Sequence, residues 1–419
     1  MTLHKTNSAA PRALSHIRVL DLTRVLAGPW ATQNLADMGA EVIKIERPGA
    51  GDDTRSWGPP YLKDGDGIDT RDASYFISAN RGKRSVTVDI ATPEGQDIIR
   101  KLAVSSDVFI ENYKVGTMAR YGLSYADLKL INPRLVYCSI SGFGQSGPYS
   151  AQPGYDFVFQ GMGGLMSVTG FPETETGEGG PVKVGIAIAD LMAAMYATTG
   201  ILAALEHRHI SNEGQYIDLA LLDCVVATTS YQSMNYFLSG QVPSAIGNAH
   251  PNMVPYQVFN CKEGKLILAV GNDSQFASFC EAAGRTDIGT DARFGKVSGR
   301  VKNREILVPI VAQILREKTM LEWIAVLEPA NVPCGPIYNL DQVFEDPQVR
   351  HRNLKSVIPH AAGGSAPNIA SPLRFSGTPV TYEKAAPLLG QHTSEILERL
   401  AGLSPAEVDM LRAKGVLGS

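Results

Sequence analysis

The first part of the chain alternates between apolar strand-like runs and amphipathic helical patterns, and this alternation constrains the fold most. Strands are predicted at 16–22, 41–47, 84–90, 107–112 and 134–143, with helices at 28–39, 93–103 and 125–131. Thr92 and Ser124 supply N-caps directly before two of these helices. Strands joined by helices pair in parallel through right-handed crossovers, so the pattern predicts an α/β fold with a large Rossmann-like parallel sheet.

The 419 residues exceed what one core usually accommodates, so we expect more than one domain. A run at 264–271 reads as a strand, and 273–284 and 301–329 read as helical. We therefore expect residues 1–222 to form the large domain and 223–336 to form linkers and a smaller α/β domain. After the Pro/Gly turn at 331–336, residues 337–419 are predicted to return to the large domain. The run 214–238 is predicted to be helical.

Composition excludes several classes of protein. Lys plus Arg (38) nearly balances Asp plus Glu (42), so the net charge of −4 gives no reason to expect nucleic acid or an anionic membrane surface. The five cysteines are widely spaced with no CxxC pair, which indicates a reducing compartment and no metal site. Residues 1–14 lack the apolar region of a secretory signal. We expect an unstructured tail on a cytoplasmic protein, with a mitochondrial transit peptide as the alternative.

The apolar stretch 184–205 contains one carboxylate, Asp190. Asp190, Gly185 and Gly200 dilute the stretch too much for a membrane span, so we expect a buried helix. A carboxylate in such surroundings costs free energy unless something stabilises it. Asp190 is therefore either an N-cap at the start of the helix or a functional acid, and the two roles are compatible.

The loop after the first strand argues against a dinucleotide. Residues 23–32 hold one glycine and a proline where a pyrophosphate-binding loop needs G-x-G-x-x-G. Glu46 could contact a ribose, but Arg47 follows it and suits a phosphate better. Cationic and amide residues recur at strand ends, at Arg47, in 80–85 and in 111–120. Singly each is typical of a solvated surface, whereas together they indicate a ligand with several phosphates.

Many segments, taken together and in order, resemble the class III (family III) CoA-transferases. They include IRVLDLTRVLAGP, GAEVIKIERPGAGDDTR, NRGKRSVTVDI, ENYKVGTMARYGL, SGFGQSGPY, GYDFVFQGMGGLMSVTG, ADLMAAMYATTGILAAL and PLLGQHTSEIL. They span residues 17 to about 397, nearly the whole chain. The family includes formyl-CoA, carnitine and succinyl-CoA-dependent transferases and the related α-methylacyl-CoA racemases.

The resemblance implies roles for individual residues. The family's nucleophilic aspartate corresponds to Asp190. Its coenzyme A contacts correspond to Leu26, Ala27, Arg47, Asn80, Arg81, Gly82, Lys83, Asn112, Tyr113, Lys114, Arg120, Tyr155 and Asp156. The resemblance further implies an interlocked, ring-like homodimer whose substrates are acyl-CoA and a small carboxylic acid. It implies no tightly bound cofactor and no metal.

The implied reaction is acyl chemistry at a carboxylate. Asp190 would attack the thioester to give a mixed anhydride, and the released thiolate would then form an aspartyl-CoA thioester. The start of a helix would keep the nucleophile ionised at neutral pH. Each step passes through an oxyanion that needs N–H donors. We expect glycines such as those in GQSG (144–147), or a mobile loop of the small domain, to supply these donors.

Two alternatives to a transferase remain. A racemase of this family places a histidine where Tyr155 stands, and a tyrosine with a pKa near 10 is a poor base at neutral pH. A non-enzymatic CoA-binding module would not need Asp190. Among transferases, the segments look most like succinyl-CoA-dependent dicarboxylate (glutarate-type) enzymes. His250, Asn248 and Arg55 are candidates for binding the distal carboxylate.

Overall fold

The computed structural model describes residues 12–418, so most of the predicted N-terminal tail lies outside the described residues. The strands are β1 (Arg18–Asp21), β2 (Glu41–Glu46), β3 (Tyr61–Lys63), β4 (Asp69–Ala73), β5 (Lys83–Thr87), β6 (Val108–Glu111), β7 (Val136–Ser141), β8 (Gly170–Phe171), β9 (Gly180–Pro181), β10 (Tyr216–Ala220), β11 (Tyr256–Asn260), β12 (Lys265–Ala269), β13 (Cys334–Gly335), β14 (Lys355–Pro359) and β15 (Ser365–Ile369).

The α-helices are α1 (Ala27–Asp37), α2 (Ser74–Ala79), α3 (Pro93–Val104), α4 (Thr117–Arg120), α5 (Tyr125–Ile131), α6 (Asp156–Met162), α7 (Ile188–Ser211), α8 (Leu221–Thr228), α9 (Ser230–Ser239), α10 (Asp273–Ala282), α11 (Thr286–Gly289), α12 (Val297–Lys302), α13 (Arg304–Leu315), α14 (Met320–Leu327), α15 (Leu340–Glu345), α16 (Pro347–His351), α17 (Thr393–Ala401) and α18 (Pro405–Ala413). Short 3₁₀ helices span Asp53–Ser56 and Met166–Val168.

The chain forms two compact units. The first comprises the described residues up to Gly164, then Val184–Ser230, then those from Gln348 onward; the second comprises Leu165–Lys183 and Tyr231–Pro347. These divisions lie at 230 and 347, whereas the sequence predicts 222 and 336. The segment Leu165–Lys183 leaves the first unit between α6 and α7, which the sequence analysis does not anticipate.

A six-stranded parallel sheet organises the first unit, in the order β10-β7-β6-β1-β2-β5. From β1 the chain continues to β2 and β5 on one side, and β6 then pairs with β1 on the other. The strand order therefore reverses between β1 and β6. In open α/β sheets, ligands bind at the carboxyl ends of strands at such a switch point.

Helices cover the sheet. Apolar side chains of α3, α5, α17 and α18 form one buried core with the strands. By length and composition, α7 is the helix of the described chain that could cross a membrane. It instead packs against α1, α6, α8, β7 and β10, with Ala193, Ala197 and Ile201 fully buried. The expectation of a buried helix is confirmed, and α7 is a core helix.

The second unit has its own core. Its three-stranded antiparallel sheet has the order β11-β12-β13. Side chains from this sheet and from α10, α13 and α14 form the core, including Phe259, Leu268, Phe276, Leu307 and Trp323. The short strands β8 and β9 pair antiparallel in the segment Leu165–Lys183. The α/β expectation for this region holds, although much of it is helical.

One helix prediction is wrong in part. Within 214–238, residues Tyr216–Ala220 form β10, which pairs with β7 at the edge of the sheet, and helix begins only at Leu221. As an edge strand, β10 has exposed and half-buried residues in alternation, and its few apolar residues run directly into those of α8. A short strand that merges with a helix in this way has no separate periodic signal.

Buried charges lie in β1, β2 and β5 and in the segment that follows β2: Asp21 and Glu46 end β1 and β2, and Lys83 is the first residue of β5. Lys44 pairs with Asp52 at 2.8 Å, and Lys83 pairs with Asp21 at 3.2 Å, all four side chains fully buried. Arg55 binds Glu46 through Nε and Nη2, at 2.8 and 2.7 Å, and pairs with Asp72 through Nη1. Buried ions are stable only when paired and hydrogen-bonded, so these contacts fix the loops that follow the strands.

Arg55→Met is expected to lower the free energy of unfolding by about 3–5 kcal/mol, because it leaves Asp72 buried without its partner. The matched control is Lys63→Met, which breaks the exposed Lys63–Asp69 pair and should cost less than about 1 kcal/mol. Urea unfolding followed by circular dichroism measures both. Equal losses in the two variants would contradict a structural role for the buried charges.

Candidate active site

The loop between β1 and α1 is held from several sides. Asp21 accepts hydrogen bonds from the backbone and hydroxyl of Thr23 at 2.9 and 2.5 Å, and Lys44 donates to the Thr23 carbonyl at 2.9 Å. The Asn112 side chain accepts from the Arg24 N–H at 2.9 Å and donates to the Arg24 carbonyl at 2.8 Å. Asn112 follows β6, so these two bonds join the loops on either side of the switch point.

Val25, the next residue, has a φ of +71°. A β-branched residue in this region is strained and persists only where its surroundings over-determine it. Gly28 lies so close to the loop that a Cβ there would fall 2.2 Å from the Cβ of Thr23. Gly28 therefore allows α1 to pack closely against the loop that precedes it.

A cleft of about 670 Å³ opens at the switch point. It is lined by the loops after β1, β6 and β7, the turn before α6, and the first residues of α1, α7 and α8. Its lining includes Arg24, Val25, Ala27, Asp53, Trp57, Asn112, Tyr113, Lys114, Gly142, Tyr155, Asp190 and Leu221. All of these residues belong to the first unit.

Asp190 is the third residue of α7, and Ala187 is the N-cap. The N-cap interpretation of Asp190 is therefore wrong. The carboxylate that satisfies the helix start comes from Asp156, which accepts from the Ala189 N–H at 2.7 Å. Within residues 12–418, the Asp190 carboxylate has no hydrogen-bond or ion-pair partner. It is thus left available to the cleft.

Helix α6 holds the approach to α7 through Gln160 as well. The buried Gln160 side chain accepts from the Val184 N–H at 2.8 Å and donates to Asp156 at 2.7 Å. Asp156 and Gln160 are one helical turn apart, so both face the segment before Asp190. Together they fix the backbone that carries it.

The electrostatic setting of Asp190 differs from that expected. Burial raises the pKa of Asp190 to about 7, and repulsion from the Asp156 carboxylate acts in the same direction. The carboxyl group is therefore partly protonated at neutral pH, whereas the sequence analysis expects the helix start to keep it ionised. Burial, with the Asp190 carboxylate as the next cause, also raises the pKa of Tyr75 to about 12, so Tyr75 stays protonated beside it.

A second cavity, of about 190 Å³, holds Arg47. It is lined by residues at the ends of β2 and β5 and by Tyr121. Arg24 and Tyr113 line both this cavity and the cleft, so the two spaces adjoin. The guanidinium of Arg120 lies 5.3 Å from the ring of Tyr121. Arg47 and Asp190 thus line neighbouring spaces.

Comparison with known proteins assigns the family. Residues 14–393 match CoA-transferase family III. The chain belongs to CoA-transferase family III. It is similar to a succinate–glutarate CoA-transferase of Agrobacterium fabrum, 46% identical over 387 residues, covering 92% of this chain and 95% of that one. A succinyl-CoA:glutarate CoA-transferase of Mus musculus is 40% identical over 406 residues, covering 97% and 90%.

Solved structures agree on the fold. The crystal structure of a CAIB/BAIF family protein from Brucella suis superimposes with a TM-score of 0.79 at 42% identity, covering 93% of this chain and 100% of that one. The protein is therefore an enzyme of acyl-CoA metabolism on an α/β fold. The resemblance that the sequence motifs indicate is confirmed at the level of the family.

Of the fourteen residues that the resemblance implies, six line the cleft of this CoA-transferase. Ala27, Asn112, Tyr113, Lys114, Tyr155 and Asp190 line it. Leu26 lies between two lining residues but is itself buried as the N-cap of α1. Asp156 lies behind Asp190, in contact with Ala189 rather than in the cleft lining.

The run Asn80–Lys83 does not fit the implied contact with coenzyme A. Lys83 is 1% exposed and donates to Asp21, Asn80 and the Pro29 carbonyl. Arg81 pairs with Asp37 in a buried bidentate bond. Gly82 takes a positive φ of +76° in the turn before β5. These residues stabilise the sheet and α1, and the structure leaves no ammonium or guanidinium of this run free for a ligand.

The residues named for a distal carboxylate are divided between the two units. Arg55 is saturated by Glu46 and Asp72, so it has no free edge for a substrate. His250 and Asn248 belong to the second unit. There His250 stacks on Tyr231 at 5.2 Å, which is a structural environment.

Five residues at the site escape the sequence analysis: Arg24, Asp53, Trp57, Tyr75 and Gln160. Trp57 lines the cleft, and the ring of Tyr75 lies edge-on against it at 5.2 Å. The sequence feature that could have indicated Arg24 is its position directly after a buried strand, in the loop 23–32 that lacks the glycines of a dinucleotide site. Within residues 12–418 there is no cluster of three His, Cys, Asp or Glu suited to a metal, and all five cysteines are free.

The Asp190 carboxyl group should titrate with a midpoint near pH 7. Asp156→Asn should lower this midpoint, because it removes the repelling charge while its amide oxygen still accepts from Ala189. The midpoint should stay above the ordinary value of 3.8, since burial is the larger cause. The carboxylic C=O band in infrared difference spectra, wild type minus Asp190→Asn, measures it, with Asp64→Asn as control. An unchanged midpoint in Asp156→Asn would contradict the coupling.

Proposed function

We propose that the protein transfers coenzyme A from an acyl-CoA, with succinyl-CoA as the leading donor, to a free dicarboxylic acid, with Asp190 as the nucleophile. The observation that carries this proposal is the Asp190 carboxylate in the cleft at the switch point, which has no hydrogen-bond or ion-pair partner within residues 12–418. A carboxylate in this position, backed by a helix start that another residue caps, has its lone pairs available for attack.

The reaction then proceeds in balanced steps. An oxygen of ionised Asp190 attacks the thioester carbonyl, and the C–S bond breaks to give an aspartyl anhydride and CoA thiolate. The thiolate attacks the aspartyl carbonyl, which releases the first acid and leaves an aspartyl-CoA thioester. The acceptor carboxylate attacks the carbonyl of that thioester, which releases CoA thiolate and forms a second anhydride. The thiolate then attacks the acyl carbon of this second anhydride. The product acyl-CoA leaves and Asp190 is regenerated.

The raised pKa of Asp190 suits this role. A carboxylate whose pKa is near the working pH is a stronger nucleophile than an ordinary aspartate, yet part of it is ionised. The starts of α1 and α7 both lie at the cleft, and their partial positive charge favours the oxyanions.

Coenzyme A fits the two adjoining cavities. Arg47 and Arg120 would hold the phosphate-bearing nucleoside end, and Lys114 in the cleft would lie along the pantetheine arm. Lys83 takes no part in this arrangement, because its ammonium is buried and hydrogen-bonded. The reactive sulfur would lie beside Asp190.

The dicarboxylate acceptor rests on the relatives, which are named as succinate–glutarate transferases. A racemase is disfavoured because Tyr155, exposed at the cleft, stands where that branch places its histidine base. A CoA-binding module without activity is disfavoured by membership in an enzyme family.

We place the enzyme in the cytoplasm, in keeping with its free cysteines.

We also propose that two chains form an interlocked homodimer. Helices α6, α7 and α8 pack together in the first unit and expose several large apolar side chains: Phe157, Val158, Met162, Met195, Tyr196 and Val226. Exposed apolar side chains on adjoining helices are typical of a buried protein interface. A second copy of this chain is the partner that the family resemblance implies.

A matrix of acyl-CoA donors against free acids, read by mass spectrometry, should give the highest kcat/KM for dicarboxylic acids with succinyl-CoA.

Asp190→Asn should abolish transfer, because a carboxamide cannot form the anhydride, while CoA binding and thermal stability persist. Wild type mixed with acyl-CoA and trapped with hydroxylamine should be modified at Asp190. Substantial transfer by Asp190→Asn would refute the covalent mechanism.

In light scattering after size exclusion, the 45.0 kDa chain should run at twice its mass. Tyr196→Glu should shift it toward the monomer, because it places a charge among the exposed apolar side chains of α6–α8. Leu130→Glu is the matched control, since Leu130 is 84% exposed on α5, away from those helices, and the dimer should persist. A wild type that stays monomeric would rule out the dimer.

A further inference from the structure

Arg24 lies where the two cavities adjoin. Only Arg24 and Tyr113 line both the Arg47 cavity and the Asp190 cleft, among the residues found lining them within 12–418. Arg24 is the charged one of the two. Any ligand that occupies both spaces therefore passes its guanidinium.

The guanidinium of Arg24 is only partly hydrogen-bonded. Nη1 pairs with Asp53 at 2.9 Å, and both side chains are about two-fifths exposed, at 43% and 39%. Nε is buried and has no hydrogen-bond partner within the described chain. An exposed ion pair of this kind contributes little to stability. A ligand with more negative charge than Asp53 can therefore replace it.

The backbone of Arg24 is fixed although its side chain is not saturated. Asn112 binds both its N–H and its carbonyl, and the guanidinium lies 5.2 Å from the centre of the Tyr113 ring. A guanidinium held in this way offers a planar pair of donors that matches phosphate oxygens. The cation is presented at one place along the ligand's path.

Coenzyme A has its charges in two places. One phosphate is on the ribose, and a diphosphate joins the nucleoside to the pantetheine arm that ends at sulfur. With the nucleoside near Arg47 and the sulfur near Asp190, the diphosphate falls between the cavities. Lys83 is excluded by burial, and Lys44 is fully buried against Asp52.

We propose that Arg24 binds the diphosphate of coenzyme A and that Asp53 is the anion it releases when the ligand arrives. This inference rests on the proposed function, because it takes an acyl-CoA as the ligand. Neither residue is among those that the family resemblance implies.

Truncated ligands test the assignment. Arg24→Gln should weaken binding of coenzyme A and of 3′-dephospho-CoA by the same factor, about tenfold or more, because both carry the diphosphate. It should leave binding of pantetheine, which lacks it, unchanged. The matched control is Arg134→Gln, an exposed arginine before the amino end of β7, which should bind all three ligands as wild type does.

The partner residue gives a second, opposite result. Asp53→Asn should tighten coenzyme A binding, because the ligand no longer displaces an anion, and this gain should vanish in the double variant with Arg24→Gln. Unchanged CoA affinity in Arg24→Gln, or a rise only in the KM of the acid, would overturn the role of Arg24. Wild type that fails to bind coenzyme A, or Asp190→Asn that still transfers it, would instead refute the proposed function. Calorimetry and steady-state kinetics separate the two.

Discussion

The hydrogen bonds that fix Thr23 and Arg24 determine much of the site. Asp21 and Lys44 hold Thr23 from the strands, and Asn112 holds Arg24 from the loop after β6. With both residues fixed, Val25 can remain in a left-handed conformation that its branched side chain disfavours. Removing one member of the buried pairs Lys44–Asp52 or Lys83–Asp21 would leave the other charge uncompensated, so loss of the network would disturb the cleft lining as well as the sheet.

The division of labour between Asp156 and Asp190 follows from the needs of a helix start. The first N–H groups of α7 need an acceptor, and an acceptor engaged in this way is a poor nucleophile. Asp156 supplies the acceptor from α6, and Asp190 has no hydrogen-bond partner in the described part of the chain. The Asp156 carboxylate is then a second negative charge near Asp190, and its repulsion adds to burial in raising the pKa of Asp190 to about 7.

The sequence predicts the parallel sheet well, because β1, β2, β6 and β7 are almost wholly buried and have apolar runs, and because Val86, Val88 and Ile90 alternate along and beyond β5. Thr92 and Ser124 are confirmed as caps, since capping depends on residues three positions away. Partners distant in sequence could not be predicted. Lys83 is the clearest case, because its charge indicates a phosphate contact while Asp21 and the Pro29 carbonyl, 62 and 54 positions away, bury it.

The same limit applies to Asp190. A lone acid at the start of an apolar helix usually caps that helix, and nothing local indicates that Asp156, 33 positions before Ala189, does so instead. Arg24 escaped attention because one arginine after a strand has no motif of its own. Its meaning depends on two cavities that form only when the loops after β1, β2 and β6 converge.

The departure of Leu165–Lys183 into the second unit has a consequence for how this chain can change over evolution. The segment leaves after α6 and returns at Val184, where Gln160 and then Asp156 bind the returning backbone. These bonds close the excursion at its base, so its length and composition are uncoupled from the position of Asp190. The segment, including its polar, Gly-rich run at 172–180, can therefore accept insertions and deletions without moving Asp190.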